Sequence, residues 1–132
     1  MRFYPRVIAQ GLCGVVTHGE LRHATMVDLS TMGIRLERPF DPAKASRTVQ
    51  LEIELPEVDE IVWAKGHVTH AHLRPMGGLH DDGQPRLWCS AGIQIDAAAL
   101  RELRMLREYV IEKRRSAQEN WRWFSTAAST SA

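Results

Sequence analysis

The sequence predicts a mainly β fold, a small closed barrel followed by a C-terminal helix, and three observations carry that expectation. Several segments alternate apolar and polar residues with a period of two, clusters of Gly, Pro and Asp separate them, and past Asp96 the composition turns to strong helix formers. Six or seven short strands of this kind are the makings of a small barrel. A chain of 132 residues with 44% apolar and 25% charged content has the size and balance of one globular domain with a single core.

The first two strands are expected over Val7 to Val16 and Leu21 to Leu29, joined near Thr17-His18-Gly19. Gly33-Ile34-Arg35-Leu36-Glu37 alternates before Pro39 and Pro42 stop it, and Val49 to Leu55 repeats the pattern. Further strands are read at Ile61 to Trp63, Gly66 to Leu73 and Leu87 to Ile95, with turns at Pro75-Met76-Gly77-Gly78 and Asp81-Asp82-Gly83. The helix is expected to begin at Asp96, whose carboxylate would cap the first amides. Its apolar stripe would run through Leu100, Leu103, Leu106 or Arg107, and Val110. The expected organisation is one domain over 1–124, with an arm at 1–7, a barrel at 8–95 and a helix at 96–124, then a frayed tail at 125–132.

The 17 basic and 16 acidic side chains leave a net charge of +1, which argues against nucleic acid or an anionic membrane as partner of the whole surface. Any anion site has to be local. Cys13 and Cys89 form no Cys-x-x-Cys pair, so neither a disulfide framework nor a thiolate zinc site is expected, and a reducing cytoplasm fits. No window reaches 18 consecutive apolar residues and no secretion signal opens the chain, so a cytoplasmic protein without membrane insertion is expected.

The residues that carry chemistry lie near the start. Arg2 and Arg6 are four apart with Pro5 between them, which keeps the segment extended, so it reads as an arm rather than a helix face. Arg binds phosphate bidentately and also forks onto the O6 and N7 acceptors of guanine. In a free nucleotide the guanine N1 and N2 donors are open as well, and the carboxylate of Asp28 can accept from both. Adenine would oppose a donor to the Arg fork and an acceptor to the carboxylate, so the pair selects guanine. Ser30 offers a hydroxyl two residues on, and Gly33 permits a tight turn or a close backbone approach.

An Arg-x-x-x-Arg arm followed about twenty residues later by Asp-x-Ser-x-x-Gly resembles the ligand-binding signature of the PilZ family, matched here by Arg2, Arg6, Asp28, Ser30 and Gly33. Pro5 and Val7, the strand after Gly33, Gly66-His67-Val68, and Gly92-Ile93-Gln94-Ile95 before a helix are similar to other features of that family, so the resemblance covers about residues 2 to 110. It implies a six-stranded antiparallel barrel with a C-terminal helix, and an arm that wraps over cyclic di-GMP against the Asp-Ser-Gly turn. It implies no catalysis. In the family the position before the first Arg bears on whether one or two ligand molecules bind, and here that position is Met1.

His67, His70 and His72, with His80 beyond, are expected to be structural rather than metal ligands, since His67 would point away from His70 in a regular strand. Trp63 and Trp88 are expected in the core. Trp121 and Trp123 follow Lys113-Arg114-Arg115 in a span, 101–122, that holds seven Lys or Arg and four Glu, a face for solvent or for a partner. The expected function is a stand-alone cyclic di-GMP receptor that orders its arginine arm and signals to a protein partner the sequence does not identify. The alternative is an interaction module working through the C-terminal helix without nucleotide, including a homodimer through that helix. No catalytic residue, metal or resident cofactor is expected.

Overall fold

The computed structural model describes residues 6–130, with side chains described through residue 121. Six antiparallel strands, β1 (Val7–Thr17), β2 (Glu20–Leu29), β3 (Gly33–Pro39), β4 (Thr48–Glu54), β5 (Ile61–Leu79) and β6 (Pro85–Ala98), close in the order β1-β2-β3-β6-β5-β4. Helix α1 (Leu100–Thr130) follows, and a 3₁₀ turn at Pro42–Lys44 lies between β3 and β4. The six-stranded barrel with its C-terminal helix is the fold that the residue patterns and the resemblance led one to expect.

Alternation fills the interior. Val15, Met26, Ile34, Leu51, Ile53 and Val62 are at most 1% exposed, one or two from each of five strands, and Ile93 and Ile95 complete the ring from β6. The β1–β2 hairpin turns on His18 and Gly19, with φ of 51° and 76°, the paired positive angles that match strand twist in a two-residue loop. Strand β1 pairs with β2 along its length, but with β4 only over Cys13 to Val16.

Several boundaries differ from expectation. The expected segments from Ile61 to Leu73 and the expected turn at Pro75-Met76-Gly77-Gly78 form one strand, β5. A register shift between Pro75 and Leu79, with Gly77 and Gly78 at φ of 87° and 81°, absorbs the extra residues, and the reversal falls at His80–Gln84, over the other expected turn, Asp81-Asp82-Gly83. Asp96 does not cap the helix. Ala97 and Ala98 pair with Lys65 and Ala64, so ladder hydrogen bonds outweigh the helix propensity of the alanines, and the first helical bond runs from Leu103 N to Ala99 O at 3.0 Å. The helix also continues through the segment expected to fray up to Thr130, because no Gly or Pro interrupts it.

The helix anchors to the barrel through Leu106, Tyr109 and Val110, with Met105 partly buried, whereas Leu100 from the expected stripe is 65% exposed. Trp63 is not in the core either. Its neighbours Val62 and Ala64 take the inward positions, so Trp63 faces out at 55% exposure, while Trp88 is half-buried. A second register shift, between Val68 and His70, lets both Val68 and the exposed Ala71 border a cavity at one end of the barrel and turns His67 and His70 to the same outer face, contrary to the regular-strand expectation. His67 Nδ1 meets Asp96 Oδ2 at 2.7 Å, and among the described residues no group of three or more metal-capable side chains gathers.

Two predictions follow from the packing. Ile53→Ala, at a fully buried position, should lower unfolding free energy by about 2–5 kcal/mol in a denaturant titration, and Trp63→Ala by clearly less. Burial pushes the Cys13 thiol up to about 12 and raises that of Cys89 as well, so little thiolate forms at mildly alkaline pH. Alkylation followed by mass spectrometry should label both cysteines slowly in the native protein and rapidly in denaturant.

Candidate functional site

One end of the barrel gathers the chemistry-bearing residues that the sequence scatters. Arg6 directly precedes β1, and the antiparallel pairing of Ile8 with Asp28 brings the end of β2 beside it. The Arg6 guanidinium donates from Nη1 to Asp28 Oδ1 at 2.6 Å, with side-chain exposures of 48% and 20%. A pair this exposed contributes at most about 1 kcal/mol to folding, so its significance is positional.

Ser30 and Gly33 bracket the turn from β2 to β3. Ser30 N donates to Gly33 O at 2.9 Å, the Ser30 hydroxyl donates to the same carbonyl at 3.3 Å, and Met32 N donates to Ser30 Oγ at 3.3 Å. Ser30 is 2% exposed, so its hydroxyl holds the turn instead of standing open beside Asp28 as expected. The turn is tied to β6 by Ile95 N donating to Met32 O at 2.8 Å and by the pairing of Gly33 with Gln94.

At Gly33 the backbones of β3 and β6 approach closely. A Cβ there would lie 2.9 Å from the Ile93 carbonyl oxygen, and 3.8 Å from both Arg6 Nη2 and Ser30 Oγ. Any side chain would therefore press on the Ile93 carbonyl and push the turn off β6, while its Cβ would sit in ordinary contact with the guanidinium. Arg6, Asp28, Ser30 and Gly33 thus form one cluster across three strands, while Arg2 lies outside the described residues.

Arg35 belongs beside this cluster and was not among the expected site residues. It is the β3 partner of Asp28, faces out, and donates from Nε to Ser90 Oγ at 3.1 Å. The alternation Gly33-Ile34-Arg35 already marked it as outward, but only the β2–β3 register shows that it stands next to Asp28. On its far side His70 packs over Gly92, the β6 partner of Arg35, close enough that no Cβ would fit there. The surface therefore presents the Arg6–Asp28 pair with Arg35 on the neighbouring strand turned toward Ser90, a layout for an anion that also carries hydrogen-bond donors. No helix of the described residues is long and apolar enough to cross a membrane.

Known structures share this architecture. The PilZ domain of YcgR from Escherichia coli, solved with c-di-GMP, superposes with a TM-score of 0.64 at 15% identity, covering 90% of this chain and 95% of that one. The Bacillus subtilis inhibitor of motility MotI/DgrA gives a TM-score of 0.64 at 17% identity over 88% of this chain, and the K. pneumonia MrkH–c-di-GMP complex gives 0.63 at 17% over 91%. The chain spans about half the length of the latter two, 52% of MotI and 55% of MrkH. No curated protein sequence matches it. The family model for the PilZ domain, however, matches residues 1–112, so the chain belongs to the PilZ domain family.

Proposed function

We propose that this chain is a cyclic di-GMP receptor, without catalytic activity, whose arginine arm closes on the ligand and whose C-terminal helix presents the result to a protein partner in the cytoplasm. The observation that carries the reading is the Arg6–Asp28 contact at 2.6 Å beside the bare Gly33 backbone. Before ligand arrives the two charges satisfy each other. On binding, Asp28 accepts from guanine N1 and N2 while Arg6, with Arg2 from the same arm, turns to phosphate oxygens or to the O6 and N7 edge. The exchange is favourable because one exposed ion pair is replaced by several charge-assisted hydrogen bonds, each stronger by about 1 kcal/mol or more. Ser30 and Gly33 contribute the turn shape and the room for close approach.

The route to the helix starts next to the arm. Val7, the residue after Arg6, lies in the same buried cluster as Leu106, Tyr109 and Val110 of α1. On this reading, movement of the arm root reaches the helix through that shared core and the packing of α1 on β1. Beyond Lys113, which binds Glu57 at 2.9 Å, every described side chain up to Trp121 is exposed. An extended helix whose described side chains past Lys113 all face solvent offers a surface for a partner. A second copy of the chain is the simplest alternative partner, and sedimentation with and without ligand separates the two.

Titration calorimetry decides the ligand. The unmodified chain should give saturable heat with cyclic di-GMP and at least about a hundredfold weaker binding with cyclic di-AMP, since two mismatched polar contacts together exceed about 2.7 kcal/mol. Arg6→Ala and Asp28→Ala should each weaken binding at least about tenfold. Both variants should nevertheless melt with a loss below about 1 kcal/mol, because the pair adds little to folding. Absence of saturable heat, or wild-type heat from both variants, overturns the proposal. Gly33→Val should lose binding and destabilise the barrel together, read by the same titration and by thermal melting.

A further inference from the structure

The opposite end of the barrel carries a second polar arrangement that the ligand site does not use. Strand β3 leads from Gly33 to Arg38, five residues or about 16 Å along the strand. There a cavity of about 110 Å³ opens beneath the Phe40–Ser46 segment. Its walls are the inner faces of Leu36, Val49, Val68 and Ile93, with Ala71 and Ala91 leaving space where larger residues would fill it.

Its mouth is cationic. Arg22 and Arg38 share strand parity with the buried Ala24 and with Leu36, so both are inward positions, and Lys44 leans in from the 3₁₀ turn. Arg22 lies 3.7 Å from Glu20 and 3.6 Å from Asp41, and Lys44 lies 3.2 Å from Glu20. Arg38 makes no hydrogen bond or ion pair among the described residues. Its charge is nonetheless felt inside the barrel, where it works against burial on the thiols of both Cys13 and Cys89. Three cations thus meet two carboxylates, and the unmatched one stands at the threshold of an apolar cavity.

We propose that this end of the barrel binds a small carboxylate with a short unbranched alkyl tail, the carboxylate on Arg38 with Arg22 and Lys44 around it and the tail between Leu36, Val68 and Ile93. The cavity sets the tail length. It is somewhat smaller than the roughly 150 Å³ that holds benzene in an engineered apolar cavity, so a tail of about four carbons fills it. Tail burial and charge pairing then act together, which neither an alkanol nor a bare inorganic anion reproduces.

The test uses the full chain labelled with ¹⁵N and titrated with pentanoate, pentanol and inorganic phosphate in parallel. Pentanoate should produce saturable amide shifts centred on Phe40 to Ser46 and on Ile93, at least about tenfold tighter than pentanol or phosphate. Arg38→Gln should weaken pentanoate at least about tenfold and leave pentanol unchanged. Ala91→Leu, which fills the cavity from the wall, should abolish the shifts while thermal melting shows a folded protein. Equal affinity for pentanol, equal affinity for phosphate, no saturation with pentanoate, or undiminished binding by a folded Arg38→Gln would each overturn the proposal.

Discussion

The contact between Gly33 and the Ile93 carbonyl oxygen, made possible by the absence of a side chain, is the constraint on which the rest of the molecule depends. Through it β3 lies against β6 in register from Gly33 to Pro39, and the β1-β2-β3 meander joins the long β5–β6 hairpin to close the ring. Closure removes sheet edges, and it fixes which side chains face inward on every strand. The same close approach brings the Ser30–Gly33 turn under Arg6. Fold and site are therefore a single geometric solution.

Much of this was legible in the residues. The alternation at Val49 to Leu55 and Gly33 to Glu37, the His18-Gly19 reversal and the spacing of Arg6, Asp28, Ser30 and Gly33 all report local chemistry, and local chemistry is what a sequence displays directly. What was not legible depends on register. Trp63 reads as core by its apolarity, yet one step of pleat sends it outward. The bulge between Val68 and His70 reverses the parity of His70, and the pairing of Ala98 with Ala64 holds the alanines in a strand despite their helix preference. Arg35 was hidden for the same reason, since its nearness to Asp28 exists only across strands.

The two ends of the barrel differ in how they place charge. At the arm end the exposed Arg6 and the partly buried Asp28 neutralise each other, so the site is stable while empty and sacrifices little when the pair opens. At the other end Arg38 faces inward with its charge unmatched among the described residues, which makes a water-filled or anion-filled mouth more favourable than a dry one. Both arrangements sit on β3, a strand whose interior positions Ile34 and Leu36 are buried, Leu36 against the cavity.

The uneven pairing of β1 has a mechanical meaning. Its second half, Cys13 to Val16, is stitched on both sides, to β2 and to β4, whereas Val7 to Leu12 is stitched to β2 alone and carries the bulge between Ile8 and Gly11. The root of the arm is thus a flap sewn along one seam. Such a flap can lift while the stitched ring stays shut, at the cost of its hydrogen bonds to β2 and of uncovering Val7 and Ala9, so motion disturbs the first strand and only the part of the core beneath it.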